Sequence, residues 1–426
     1  MRRKGRNKRN FVKKNDNTKQ IIHSLSRTII ILLILFSIVT IFTILNNWKD
    51  YKELVQASNM EVLQESVEEN LEESSDDTAS NTDTTFTLTA IGDIVGNTSL
   101  TSDALNTSTN QYDFSYIFED ISYYIKNSSI TVANLETTFS GEANGYRNYS
   151  RYNSPDKLAN NLKKLGVDVV STAGNHCLDY GYDGLSRTID VLDQADISHV
   201  GTYNSKESQD SILIKYVKGI KLAFIDFTFS SNKLNIPSDK SYCVNLIDKD
   251  FIKEHLDLAK KQSPDIIICS IHWGNENSSS VTSSQKEYAD FIFENGADII
   301  LGTHPHLLQP MEKRTVTLQD GTTKDGFIIY SLGDFINGKN QKKYNSSVIL
   351  ELTITKHTDN KITIDKANYI PIYMYKDNGK KYNKFRLLDT NNVISLYDQG
   401  VDTSIGKNMY STLKDSLNSI KSALGQ

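Results

Sequence analysis

Short apolar runs that stop at polar residues, separated by longer amphipathic stretches, set the pattern of this chain. Phe86 to Ile91 alternates apolar and polar positions and gives way to Gly92-Asp93. Ile130 to Leu135 ends in Glu136, and Val167 to Ser171 leads to Gly174-Asn175-His176. Asp265 to Ile271 ends in His272, and Asp298 to Leu301 opens into Gly302-Thr303-His304-Pro305-His306. Alternation, or a short apolar run bounded by turn residues, predicts strands. Helical patterns of about ten to fifteen residues lie between them. One is Pro155 to Leu165, with Pro at its start and Gly166 just past its end. Strands alternating with helices predict an α/β fold, whose sheets bind ligands at the carboxyl ends of their strands. The residues that close these strands are therefore expected along one edge.

Those closing residues are Asp93, Glu136, Asn175, His272, His304 and His306. Carboxylate, amide and imidazole donors in this mixture suit a borderline or hard divalent ion such as Mn, Zn, Fe or Mg, and a carboxylate can bridge two of them. Two ions about 3.5–4 Å apart can activate water and polarise a phosphoryl or acyl oxygen. Any one of these histidines alone reads as an ordinary core residue. Four of the eight histidines, counting His176, fall beside strand ends and glycines, so the set is read as a site for two divalent metal ions. Cys177, Cys243 and Cys269 are too few and too scattered for a disulfide framework or a cysteine zinc site. Cys177 follows His176 directly and invites a nucleophile reading, against the plainer one of a small buried filler.

At 426 residues the chain has room for one large or two ordinary domains. Its first part has a different character. Residues 28–47 carry no charge and are long enough to span a bilayer as a helix. Residues 1–27 hold ten Lys and Arg against the single Asp16, about +9, which predicts a cytoplasmic head and an external domain on a single-pass anchor. A cleaved signal peptide would need small residues soon after the apolar run, and Val55-Gln-Ala57 lies about twelve residues too late. A basic head could also bind nucleic acid, but its position against an apolar span makes topology sufficient cause.

Residues 48–85 are acidic, polar and poor in aromatics in their second half, and are expected to be a flexible stalk. With the head's +9 removed from a net charge of −5, about −14 remains for the rest. Such a field does not draw in a polyanion, so an acidic polymer would be held locally by metals or by Arg147, Arg151 or Lys157.

Six ordered motifs carry a family resemblance. They are Gly92-Asp93; Asn134-Leu135-Glu136; Gly174-Asn175-His176 with Asp179 and Gly181; His272-Trp273-Gly274 with Glu276; Gly302 with His304-Pro305-His306 and Gln309; and Tyr330-Ser331-Leu332-Gly333-Asp334-Phe335. Together they resemble the capsule-synthesis protein CapA family of poly-γ-glutamate biosynthesis, over about residues 86–340. The resemblance implies a layered α/β sandwich similar to calcineurin-like metallophosphoesterases, with residues 345–376 completing a domain over 86–376. A C-terminal extension with a terminal helix then occupies 377–426. It also implies roles. Asp93 takes the place of the first aspartate of the phosphoesterase signature and Glu136 that of its bridging acid. Asn175, His272 and His304 match ligands of one metal and His306 a ligand of the other. His176 matches the histidine that protonates a leaving group, with Asp179 orienting it.

The chain departs from the pattern where Val95 stands in place of the histidine of Asp-x-His, which costs one metal a ligand. Gly174 is closer to the phosphoesterases than to the Asn-Asn-His common among CapA-like chains. Asp334 stands where that family commonly has Asn, and is read as a turn cap in preference to a replacement ligand. Two functions follow from the resemblance. One is a membrane-anchored external hydrolase with two metals, acting on a phosphoester or an amide-linked acidic polymer. The other is a non-catalytic accessory subunit of a polyglutamate synthesis and export complex, with membrane subunits as partners. Completeness of the site separates them, since fold does not fix function. Tyr146 to Tyr152 could line a substrate groove or form a plain surface loop. Met409 to Leu424 shows apolar residues at helical spacing and predicts a helix packed on its own domain.

Overall fold

The computed structural model describes residues 82–318, 320–339, 341–401 and 405–425. The basic head, the apolar span at 28–47 and nearly all of the stalk fall outside the described residues. Among the described residues no helix is long and apolar enough to cross a membrane.

In chain order the strands are β1 (Thr84–Val95), the short pair β2 (Leu105–Asn106) and β3 (Gln111–Tyr112), β4 (Ile130–Glu136), β5 (Val169–Ser171) and β6 (Ser198–Val200). Then come β7 (Leu213–Val217), β8 (Ile220–Thr228), β9 (Ile266–His272), β10 (Ile299–Thr303), β11 (Leu308–Thr317) and β12 (Thr323–Leu332). The last four are β13 (Asp334–Ile336), β14 (Ser346–Lys356), β15 (Ile362–Lys376) and β16 (Phe385–Asp389). One sheet runs β16-β15-β14-β1-β4-β5-β6, with β13 laid against the end of β1. A second runs β11-β12-β10-β9-β8-β7. The neighbours within β1-β4-β5-β6 and within β8-β9-β10-β12 are parallel, so the carboxyl ends within each group lie together.

The two sheets pack face to face. Leu88, Val132, Val169 and Leu350 of the first meet Phe224, Ile268, Leu301 and Ile329 of the second in one core. Helices close the outer faces. Leu158 and Leu162 of helix Lys157–Leu165, with Leu192 of helix Gly181–Gln194, cover Ala133, Leu135 and Val170. Helices Lys249–Lys261 and Ser283–Glu294 bring Ile252, Leu256, Ile292 and Phe293 onto Ile267, Cys269 and Ile328. The result is the layered sandwich expected. It also explains why β9 is an unbroken apolar run: both of its faces are buried, Ile266 and Ile268 toward the other sheet, Ile267 and Cys269 toward helices. Truncating such a Leu or Ile to Ala costs about 2–5 kcal/mol.

Local signals set the helix ends. Gly166, at φ 111°, caps helix Lys157–Leu165 in the left-handed region, and its N–H reaches the carbonyls of Leu162 and Lys163. Thr282 and Gln285 form a reciprocal capping box at the start of helix Ser283–Glu294. At the other end of the chain, β16 pairs with β15, and helix Lys407–Ala423 places Ile420, with Leu424 just beyond it, in the core between the sheets.

One expectation needs correcting. The strands that carry the polar residues do not share a single sheet edge: β1, β4 and β5 belong to one sheet, β9 and β10 to the other. Periodicity identifies a segment as a strand and is silent about its neighbours, so five similar runs read as one sheet. The site forms where the carboxyl edges of both sheets come together. Gly92 makes part of that approach possible. A Cβ there would lie 1.9 Å from the carbonyl oxygen of Gly333, and the Asp93 amide donates to that same oxygen at 2.8 Å.

Candidate metal centre

Asp93 sits near the end of β1, fully buried. Its Oδ1 accepts from the Asn134 amide at 2.8 Å, and Asn134 in turn accepts from the Ser171 hydroxyl at 3.0 Å. That chain leaves Asp93 Oδ2 without a partner. Glu136 ends β4, and both of its oxygens are buried without partners. Asn175 follows β5, and its Oδ1 lies 3.0 Å from His272 Nε2. His272 Nδ1 faces the Thr303 hydroxyl at 3.0 Å; this hydroxyl donates onward to the Ile271 carbonyl, so it accepts from Nδ1–H and leaves Nε2 as the free nitrogen. His304 Nδ1 is 3.1 Å from that Nε2.

The turn after β10 carries two ligand candidates in the left-handed region, His304 at φ 94° and His306 at φ 60°. Non-glycine residues held there cost on the order of 1–3 kcal/mol each, and such strain clusters at functional sites. Here it turns both rings back toward β1 and β9. His306 Nδ1 lies 2.7 Å from Asp334 Oδ1 and 3.5 Å from Asp93 Oδ2, and its Nε2 lies 3.5 Å from Glu136 Oε1. Single atoms of Asp93, His306 and Asp334 lie within 4.8 Å of one another, as do those of Asp93, Glu136 and His272. All six sequence-predicted ligand residues thus come together.

The charges divide the cluster. Burial pushes the Glu136 carboxyl well above its usual range, against the pull of His306. Burial raises Asp334 as well. Burial alone would lower His306, but Glu136 and Asp334 outweigh it and hold the imidazole well above the ordinary histidine value. His272 is held well below that value by burial and then by His304 and His306, and His304 is lowered to about 4 by burial and His306. Two imidazoles held toward the neutral form and four buried carboxylate oxygens without hydrogen-bond partners make a donor set that suits divalent metal. The residues fit the group that the sequence implies.

His176 stands beside this cluster with its Nδ1 2.8 Å from Asp179 Oδ2, which also accepts from the Tyr152 amide at 2.5 Å. The Tyr152 ring meets the imidazole edge to face at 4.4 Å. Tyr149, 73% exposed, stands 6.4 Å from it, and Phe229, 53% exposed, stands 5.3 Å from the His304 ring. Two of the exposed large apolar side chains among the described residues therefore rim the site. Arg147 and Arg151 are exposed on the loop that carries Tyr149 and Tyr152, whereas Lys157 is exposed at the start of its helix. Cys177 packs among Leu178, Leu185 and Val244, and burial pushes its thiol up, which favours the filler reading over a nucleophile.

Residues 87–339 match the family described as bacterial capsule synthesis protein PGA_cap. The chain belongs to this family. Among similar PGA_cap-type proteins, the capsule biosynthesis protein CapA of Bacillus anthracis is 27% identical over 274 residues, 62% of this chain and 63% of its own length. The PGA biosynthesis protein CapA of Bacillus subtilis is 26% identical over 275 residues, 62% of this chain and 69% of its own length. A calcineurin-like phosphoesterase of Bacillus subtilis, YfkN, superposes with a TM-score of 0.42 at 14% identity, covering 80% of this chain and 99% of that one. That last likeness is too loose to bear on chemistry.

Within this PGA_cap domain, Asp334 is not a turn cap. It begins β13, pairs in register with Asp93 on β1, and offers one oxygen to His306 while the other has no partner. Asn134, Thr303 and Asn232 also escaped the sequence reading as site residues. Asn134 orients Asp93 and Thr303 orients His272, while the Asn232 amide lies 3.4 Å from His176 Nε2. Glu276, in the His272-Trp273-Gly274 motif, reaches 3.8 Å from His306 Nε2. Val95, where the phosphoesterase pattern has a histidine, is a fully buried core residue paired with Glu136.

Proposed function

We propose that this PGA_cap protein is anchored in the cell membrane through residues 28–47 and hydrolyses a phosphoester or an amide-linked acidic polymer outside the cell during capsule or surface-polymer formation. The observation that carries the reading is the pairing of a buried, partner-poor cluster of carboxylates and neutral imidazoles with His176 and Asp179 at its rim. Divalent ions bound there supply Lewis acidity and lower the pKa of water. The chain's own residues supply the rest. Asp179 fixes His176 by its Nδ1, which leaves Nε2, 3.4 Å from the Asn232 amide nitrogen, as the ring atom that can pass a proton to a leaving group. Tyr152 and the Asp179 carboxylate keep that ring from turning. Arg147, Arg151 and Lys339 give an otherwise acidic chain local positive charge near the site; the Lys339 ammonium lies 4.5 Å from the Tyr344 ring, which itself stands 6.3 Å from His306. An anionic substrate can be held there against the field of the whole chain.

The deciding assay supplies Mn or Zn to purified protein with phosphoester and poly-γ-glutamate substrates. Release of phosphate or glutamate is expected, and its absence with every substrate and metal would leave the second reading. That reading, an accessory subunit of a polymer synthesis and export complex that keeps the metal fold without turnover, is favoured by Val95, which removes one donor of the phosphoesterase pattern.

Membrane topology has its own test. Protease added to intact cells is expected to remove the domain and spare the basic head. Protection of the domain would place it inside and sink the external role.

A further inference from the structure

The donors around the cluster are not alike on its two sides, and this bears on which ions it takes; the argument rests on the reading that the cluster holds metals. On one side stand His272 Nε2 and, 3.1 and 3.0 Å from it, His304 Nδ1 and the Asn175 amide oxygen. On the other stand Asp93 Oδ2, both oxygens of Glu136 and Asp334 Oδ2, all buried without a hydrogen-bond partner, with His306 3.5 Å from Asp93 Oδ2 and from Glu136 Oε1 and with Asp93 and Glu136 also offering atoms within 4.8 Å of His272 at the boundary between the two sides. Among the described residues no Lys or Arg forms an ion pair with any of these three carboxylates. Three buried carboxylates facing a single imidazole are a costly arrangement unless a cation joins them.

Asp334 reaches this place by register. β13 is three residues long and lies parallel to β1, with Asp93 and Asp334 as partners. The close approach of Gly92 to Gly333 holds the two strands together there. Were Asp334 only an orienting group for His306, one oxygen would suffice; its second oxygen is buried without a hydrogen bond. We infer that Asp334 is a metal ligand that compensates for the donor missing at Val95, and that the two metal positions therefore differ in kind. His272, His304 and Asn175 form a nitrogen-rich position suited to a borderline ion such as Zn²⁺. Asp93, Glu136, Asp334 and His306 form an oxygen-rich position suited to a hard ion such as Mn²⁺.

The full chain, purified in detergent and stripped with a chelator, is given one equivalent of Zn²⁺ and then titrated with Mn²⁺. Bound metal is read by elemental analysis and free Mn²⁺ by electron paramagnetic resonance. The wild-type chain is expected to keep one Zn²⁺ and take up one Mn²⁺. Asp334→Asn is expected to keep the Zn²⁺ and bind Mn²⁺ more than ~100-fold more weakly, beyond what losing a mere outer hydrogen-bond partner costs. Unchanged Mn²⁺ affinity in Asp334→Asn overturns the inference alone, whereas a wild-type chain that binds neither ion overturns the metal reading beneath it. Should the variant lose Zn²⁺ too, through misfolding, anomalous diffraction at the manganese edge from the wild-type protein decides. Manganese bonded to an Asp334 oxygen upholds the assignment, and manganese bonded only by other residues overturns it.

Discussion

Alanine at His272 is expected to strip the nitrogen-rich position of its ion. The side chain is fully buried, its Nδ1 is committed to Thr303, and its Nε2 faces Asn175 and His304, so no neighbour can take over its lone pair. Because burial and the adjacent imidazoles keep this ring neutral, the lone pair needs no deprotonation before it binds. Losing an outer hydrogen-bond partner of a ligand typically costs ~10–100-fold in metal affinity, and losing the ligand itself should cost more. His304→Ala is expected to behave in the same way. His306→Ala should spare this ion and weaken the other, since its contacts are to Asp93, Glu136 and Asp334. Elemental analysis of the purified variants reads the result directly. Unchanged metal content in all three would remove the basis for a metal centre.

His176→Ala should give the opposite pattern, with metals retained and chemistry lost. The His176 side chain contacts Asp179, Asn232 and Tyr152, none of which is assigned to metal. If its Nε2–H serves a leaving group, its removal should lower turnover by ~10²–10⁴-fold while the fold and the ions persist. Steady-state rates on the accepted substrate, beside polymer yield in cells, make the comparison. Normal polymer formation in His176→Ala together with failure in His272→Ala would make the metal structural and favour the accessory-subunit reading.

Most of this arrangement was legible because each ligand candidate sits where a strand pattern breaks. Asp93, Glu136, His272, His304 and His306 all follow apolar runs, and the structure places each within two residues of a strand end or in the turn just beyond one. Asp334 was misread for a physical reason. A Gly-Asp pair looks locally like a turn, and Gly333 does adopt φ 68°, but the three residues after it pair with a strand some 240 positions earlier. Contacts that distant leave no periodic trace in a short segment. The division into two sheets was hidden in the same way, since β4 and β9 have similar apolar runs and differ only in their neighbours. The contribution of Asn134 and Thr303 was likewise unreadable, because a polar residue inside a strand shows its partner only when the register is known.

That the candidate ligands come from both sheets has a mechanical meaning. Ions seated among Asp93, Glu136 and Asn175 on one side and His272 and His304 on the other would rivet the seam between two otherwise apolar faces. Binding energy at such a rivet is also folding energy: an ion present at 100 times its dissociation constant adds about 2.7 kcal/mol to the loaded state. The sandwich would then loosen first at its functional edge when ions are scarce, so that metal supply governs endurance as well as chemistry.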